Sequence, residues 1–234
     1  MTIAANLSVI HERIARAASR AGRNPETITL MAVSKTQPAA RIVEAYGAGQ
    51  RLFGENRVQE FAEKYDALRG LSDADFHMIG HLQSNKAGKA VEIFHALDSL
   101  DSAKLGDRLN AAAENLKKEV GVLIEINIGG EEAKSGIAPN SSKLEEILNA
   151  AARWTNLRVQ GLMTVPPFTE DPEGARPYFR RLRELRDRLR ARNLPGVRLE
   201  SLSMGMSHDF EVAIEEGSTC VRVGTAIFGE RAKA

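Results

Sequence analysis

Ile28-Thr29-Leu30-Met31-Ala32-Val33-Ser34-Lys35 is a short apolar run that ends on a lysine, and Thr36-Gln37-Pro38 follows at once as the opening of a helix. A buried strand handing over directly to a helix is one βα unit, and the unit recurs down the chain. Strands are predicted at 28–35, 51–55, 75–80, 94–98, 120–128, 158–165, 197–204 and 220–224. Helical spacing falls near 38–47, 57–69, 84–92, 102–117, 141–153, 172–193 and 208–216. Ser102, Asn140 or Ser141, and Ser207 stand where N-caps belong, and Gly217 stands as a stop. Ahead of the first strand, Leu7, Ile10, Ile14 and Ala17/Ala18 recur at helical spacing and Gly22 closes an extra leading helix. Regular βα alternation with apolar strands requires a parallel sheet. Eight units in 234 residues favour a closed (β/α)8 TIM barrel over an open doubly wound sheet. No linker or low-complexity stretch interrupts the pattern, so a single α/β domain spanning 1–234 is expected.

Composition narrows the function classes. Lys+Arg 32 against Asp+Glu 31 leaves a net charge of +1, so no global field recruits nucleic acid or an anionic membrane. The eight arginines between Arg176 and Arg192 flank a helical stripe of Ala175, Phe179, Leu182, Leu185 and Leu189, which makes them the solvated side of an amphipathic helix. The one cysteine, Cys220, excludes an internal disulfide and a CxxC metal site, and no metal is expected. Met1 to Arg20 is broken by His11, Glu12, Arg13 and Arg16 and is no secretory signal. No stretch approaches the ~18 apolar residues of a membrane span. The expectation is a cytoplasmic protein that binds neither membrane nor nucleic acid.

In a barrel of this kind function sits at the C-terminal strand ends. Those ends read Lys35, Gly54-Glu55-Asn56, Gly80-His81, Asp98, Asn127, Met163-Thr164, Ser203 and Gly224-Thr225. A lysine at the end of a buried strand either snorkels to water or keeps a desolvated amine, and a desolvated amine is a nucleophile toward an aldehyde. The turns Ser203-Met204-Gly205-Met206-Ser207 and Val223-Gly224-Thr225 lie where this fold usually binds phosphate, with Gly224 allowing close approach and Ser203, Ser207 and Thr225 offering donors. Arg222 stands two residues before Gly224 and so points to the same side of its strand. Its acceptor is either a carboxylate inside the barrel or a heteroaromatic ring nitrogen. An aldehyde-reactive lysine, a phosphate cradle and an arginine facing a ring together describe pyridoxal 5′-phosphate, PLP. A guanidinium is permanently charged and can only donate, so it cannot keep a ring nitrogen protonated, and such a site holds PLP while limiting its chemistry.

Seven ordered stretches carry a family resemblance: Ala32-Val33-Ser34-Lys35, Phe53-Gly54-Glu55-Asn56, His77 to Lys86, Lys134-Ser135-Gly136, Gly161-Leu162-Met163, Leu202 to Ser207 and Val221 to Gly229. Over nearly its whole length the chain resembles the PLP homeostasis proteins of the YggS/PROSC type. The resemblance implies a PLP-carrying barrel like the N-terminal domain of alanine racemase, of fold type III. It implies Lys35 as the Schiff-base lysine and Asn56, Ser203, Ser207, Arg222, Gly224 and Thr225 as the other cofactor-binding residues. It also implies a role in PLP homeostasis with no catalytic residue and no known turnover, and PLP-dependent apo-enzymes as recipients. Fold-type III racemases append a second domain that completes the site from a partner subunit, and no such domain is expected after Gly229, which favours a monomer. The remaining candidates for a second proton carrier are His81, His208 and Tyr46, each also explicable by loop hydrogen bonds or packing, while His77 and His95 fall at strand positions and read as structural. The competing function is a PLP-dependent racemase or lyase acting on a small amino acid. A phosphate-sugar isomerase on the same fold would leave Lys35 and Arg222 without a joint explanation.

Overall fold

Eight parallel strands form the centre of the computed structural model, which describes residues 2–131 and 134–229. They are β1 (Thr29–Val33), β2 (Leu52–Glu55), β3 (Asp75–Met78), β4 (Ala96–Leu100), β5 (Val120–Glu125), β6 (Leu157–Met163), β7 (Val197–Met206) and β8 (Cys220–Val223). Each pairs with the next, and β8 closes on β1 with Met31 opposite Arg222 and Ala32 opposite Val223. The helices are α1 (Ile3–Arg20), α2 (Ala39–Gly47), α3 (Val58–Leu68), α4 (Ala87–Ile93), α5 (Ala103–Asn115), α6 (Ser142–Ala151), α7 (Arg176–Arg190), α8 (Phe210–Glu215) and α9 (Thr225–Phe228). The chain is therefore the (β/α)8 barrel with a leading helix that its sequence predicts.

Some boundaries move for identifiable reasons. Phe94 is the C-cap of α4, its amide donating to Ala90 O at 2.9 Å, so β4 begins only at Ala96 and Asp98 falls mid-strand instead of at the cleft end. The ring of Phe94 joins Phe61 at a centroid distance of 4.7 Å, and Phe61 meets Phe76 at 4.8 Å, in an aromatic cluster between α3, β3 and α4. The segment 172–193 splits into a 3-10 turn at Pro172–Ala175 and then α7. Ser102 caps α5 through Leu105 N at 3.3 Å. Ser141 sits at the N-cap of α6 but makes no cap bond, its hydroxyl donating instead to Ala138 O. Ser207 does not cap α8. Asp209 occupies that position and accepts from Met206 N at 2.7 Å.

The arginine-rich face of α7 is an ion-pair network as well as a solvated surface. Phe179, Leu182, Leu185 and Leu189 are buried, while Arg176, Arg180 and Arg183 converge on the buried Glu216 at 3.0–3.2 Å. Helix α9 has only four residues and cannot cover its share of the barrel. α1 packs beside α8 and α9 to complete the ring, with Asn6 Nδ2 donating to Ile227 O at 2.8 Å and Arg13 paired to Glu211 at 3.0 Å. Among the described residues no helix is long and apolar enough to cross a membrane, and no three His, Cys, Asp or Glu side chains are grouped to hold a metal ion.

Candidate functional site

Lys35 lies two residues beyond β1, on a turn fixed from the side of β2 and α3. Ser34 N donates to Gly54 O at 2.9 Å, and Ser34 Oγ donates to Glu55 Oε1 at 2.6 Å. Lys64 from α3 pairs with the same carboxylate at 2.9 Å and donates to Ser34 O at 3.3 Å and Gln37 O at 3.0 Å. Thr36 takes a left-handed φ of 65°, and its amide donates to Glu60. A left-handed non-glycine residue is held only where its surroundings impose it, and here the buried Glu55–Lys64 pair supplies that constraint. Burial pushes the Glu55 carboxyl above its ordinary pKa, opposed by Lys64 and Ser34.

Arg222 projects from β8 into the barrel and is buried. Its Nη1 donates to Ser203 Oγ at 2.6 Å and its Nη2 to Thr164 O at 2.7 Å, which ties β8 to the ends of β6 and β7. Among the described residues no carboxylate forms an ion pair with it. Of the two acceptors open from the sequence, the internal salt bridge is absent and neutral oxygens take its place. Burial draws its pKa down from the usual guanidinium range. Ser203 is fully buried as the partner of Arg222, whereas Ser207 lies at the cleft wall, where Thr225 Oγ1 donates to Ser207 Oγ at 3.3 Å. Thr225 and Ala226 open α9, so their amides have no acceptor within the helix. Gly224 follows β8 beside Val33, and a Cβ added to it would meet Val33 O at 3.4 Å, an ordinary contact. Asn56 follows β2 and lines the same cleft. Gly80 approaches it so closely that a Cβ there would sit 2.3 Å from Asn56 O.

These residues share one cleft of about 580 Å³ at the C-terminal end of the barrel, lined by Lys35, Asn56, Ser207, Arg222, Gly224 and Thr225 among others. Its far wall holds His81, Glu125, Lys134 and Ser135. Nδ1 of His81 lies 3.1 Å from Asp101, and Nε2 of His208 lies 3.1 Å from both Thr169 O and Glu170 O, so each is engaged in a loop contact. Tyr46 is spent on Asp73 and on the guanidinium of Arg51, 4.2 Å above its ring. His77 sits toward the opposite end of the barrel between Asp98 at 3.1 Å and Asp75 at 3.4 Å. Burial disfavours its charge, but these two carboxylates outweigh burial and raise its pKa to about 10. The sequence places the fifth strand end at Asn127, yet β5 ends at Glu125. Asn127 instead braces the following loop by donating to Glu131 O at 2.8 Å. Glu125 is the cleft residue that strand-end counting misses, and burial raises its pKa to about 7, with Asp101 adding to the rise and Arg222 and His81 opposing it.

The family described as alanine racemase, N-terminal domain, matches residues 5–232. A pyridoxal phosphate homeostasis protein of Aquifex aeolicus is 48% identical over 231 residues, 99% of each chain. The chain belongs to the pyridoxal phosphate homeostasis protein family. Another relative by structure is PipY of Synechococcus elongatus, described with PLP bound, which is 39% identical with a TM-score of 0.80 over 94% of this chain and all of its own. An alanine racemase of Clostridium difficile shares the fold, with a TM-score of 0.73 at 15% identity over 99% of this chain and 57% of its own.

Proposed function

We propose that this protein binds PLP as a Schiff base on Lys35 and serves intracellular PLP homeostasis without robust turnover. One observation carries this reading: the register of β1 on β8 brings Lys35, Arg222 and the Gly224-Thr225 turn into a single cleft. The donor set fits the group. Lys35 offers a primary amine, and the amides and hydroxyls of Gly224, Thr225 and Ser207 offer donors to an anion. Arg222 contributes a donor that cannot yield its proton, with Ser203 orienting it, and Asn56 lines the mouth. PLP, when bound, supplies an aldehyde that condenses with an amine and a phosphate that such amides hold. Arg222 is held by Thr164 O and Ser203 and is a permanently charged donor, so facing a ring nitrogen it cannot protonate it, which supports a carrier over an enzyme. The reading carries with it a monomer as the acting unit and PLP-dependent apo-enzymes as recipients.

The test is borohydride reduction of the purified yellow protein followed by peptide mapping, which should place the pyridoxyl group on Lys35. An adduct on another lysine alone would overturn the assignment. Gly224→Ala is accommodated by the fold, so a loss of PLP affinity of tenfold or more in that variant reports directly on the anion cradle. A panel of small L- and D-amino acids followed by chiral chromatography should show no turnover approaching 1 s⁻¹, the lower end of the ordinary enzymatic range of roughly 1–10³ s⁻¹. Faster turnover would make the protein a racemase or lyase.

A further inference from the structure

Glu125 is not among the residues assigned above to the cofactor, yet it faces the same cleft. It ends β5, which stands across the closed barrel from β1 and Lys35. The residue is only 7% exposed, and among the described residues its Oε2 has no hydrogen-bond partner. A buried carboxyl oxygen left without a donor is costly, so the position points to a donor that arrives in the cleft. The charges around it define what kind. Asp101, beyond β4, acts on Glu125 as a like charge, while Arg222 from β8 and His81 from the loop after β3 act as opposite ones. Both of the latter are engaged elsewhere, Arg222 on Thr164 O and Ser203 Oγ and His81 on Asp101. From the loop after β5, Gly136 takes a φ of +95° and lies so close that a Cβ would sit 3.1 Å from Glu125 Cγ. Lys134, two residues before it, reaches away to Pro166 O at 3.1 Å and to Glu131. Asp101 already holds His81 and accepts from Ser102 Oγ at 3.3 Å, so the unsatisfied acceptor is Glu125 Oε2, and an added cation with N–H donors gains most there.

We propose that Glu125, backed by Asp101, is an ammonium subsite that receives the NH3+ group of a small primary amine in the cleft opposite Lys35. The raised affinity of Glu125 for a proton agrees with this, because an incoming cation supplies the charge that burial withholds. The subsite deepens the cofactor assignment and rests on it only for the amine's purpose.

The two are therefore tested apart, in cofactor-free protein. The Glu125 carboxyl is titrated by ¹³C NMR in propylammonium chloride and in tetramethylammonium chloride at equal ionic strength, the second salt carrying charge but no N–H. Glu125 should titrate about one pH unit lower in propylammonium, as an opposite charge within a few ångströms produces. Propylammonium should also shift the amides of Gly136 and His81, and Glu125→Gln should abolish those shifts. Asp101→Asn, which leaves Glu125 in place, should weaken propylammonium binding roughly fivefold. Identical titrations in the two salts, or amide shifts that persist in Glu125→Gln, would overturn the subsite. Failure of the borohydride adduct on Lys35 would remove the cofactor and leave these outcomes untouched.

Discussion

Replacing Lys64 with alanine should destabilise the protein in a manner that depends on pH. Its ammonium is the only cation paired with Glu55 among the described residues, and the Glu55 side chain is 0% exposed with Oε2 lacking any partner. Removing one member of such a pair typically costs about 3–5 kcal/mol. Glu55 can limit that cost by taking up a proton, since burial already lifts its pKa and loss of Lys64 removes the largest opposing influence. The folded variant then holds a proton that the unfolded chain releases above pH ~4.3. Its stability therefore falls as pH rises from there through the raised folded pKa, by up to about 1.4 kcal/mol per unit. Urea unfolding of Lys64→Ala should show a small deficit near pH 5 and one of about 3 kcal/mol near pH 8, worth roughly 6–12 °C in Tm for a chain of this size. The double variant Glu55→Gln/Lys64→Met should recover most of it. A deficit below about 1 kcal/mol at pH 8, or one that does not change between the two pH values, would refute the role given to this pair in fixing the Lys35 turn.

Three further outcomes are expected. The charged pairing of His77 with Asp75 and Asp98 raises its folded pKa above the unfolded value of ~6.5, so its contribution is complete below that value and is lost as pH rises through about 10. Thermal melts between pH 7 and 10.5 should decline, and His77→Gln should flatten the decline. Gly205 has a φ of +94° and a Cβ there would meet Ala213 Cβ at 2.5 Å, so Gly205→Ala should lower the urea midpoint far more than Gly224→Ala does. Phe61→Ala should cost about 3–5 kcal/mol in the same assay, because its ring is fully buried between Phe76 and Phe94.

The barrel was legible because buried parallel strands read as apolar runs, and eight of them alternate with amphipathic segments. Lys35, Arg222 and Gly224 were legible for a related reason: strand period and strand order carry their placement without any knowledge of packing. Ser207 misled, since a serine before a helical pattern looks like a cap, while α8 starts two residues later with Asp209 at the N-cap position, its carboxylate turned back to Met206 N. Glu55 and Lys64 were invisible as a pair. Lys64 looks like any charge on an amphipathic helix, and only the seating of α3 on β2 buries it against a carboxylate. Glu125 was hidden by two further strand-like residues, Ile126 and Asn127, which continue as an isolated bridge to Ile137 after β5 has ended, with Asn127 N donating to Ile137 O.

Pairing of β8 with β1 has a consequence for the life of the nascent chain. Lys35 is made well before the Arg222 to Thr225 segment, and they are neighbours only across that final seam. No stretch of sequence short of the eighth strand contains the proposed site, and no partly zipped barrel presents it. At the proposed site, capture of PLP would therefore report that β8 has closed on β1. A ribosome-bound chain that has not yet released residue 225 should give no pyridoxyl adduct on Lys35 under borohydride.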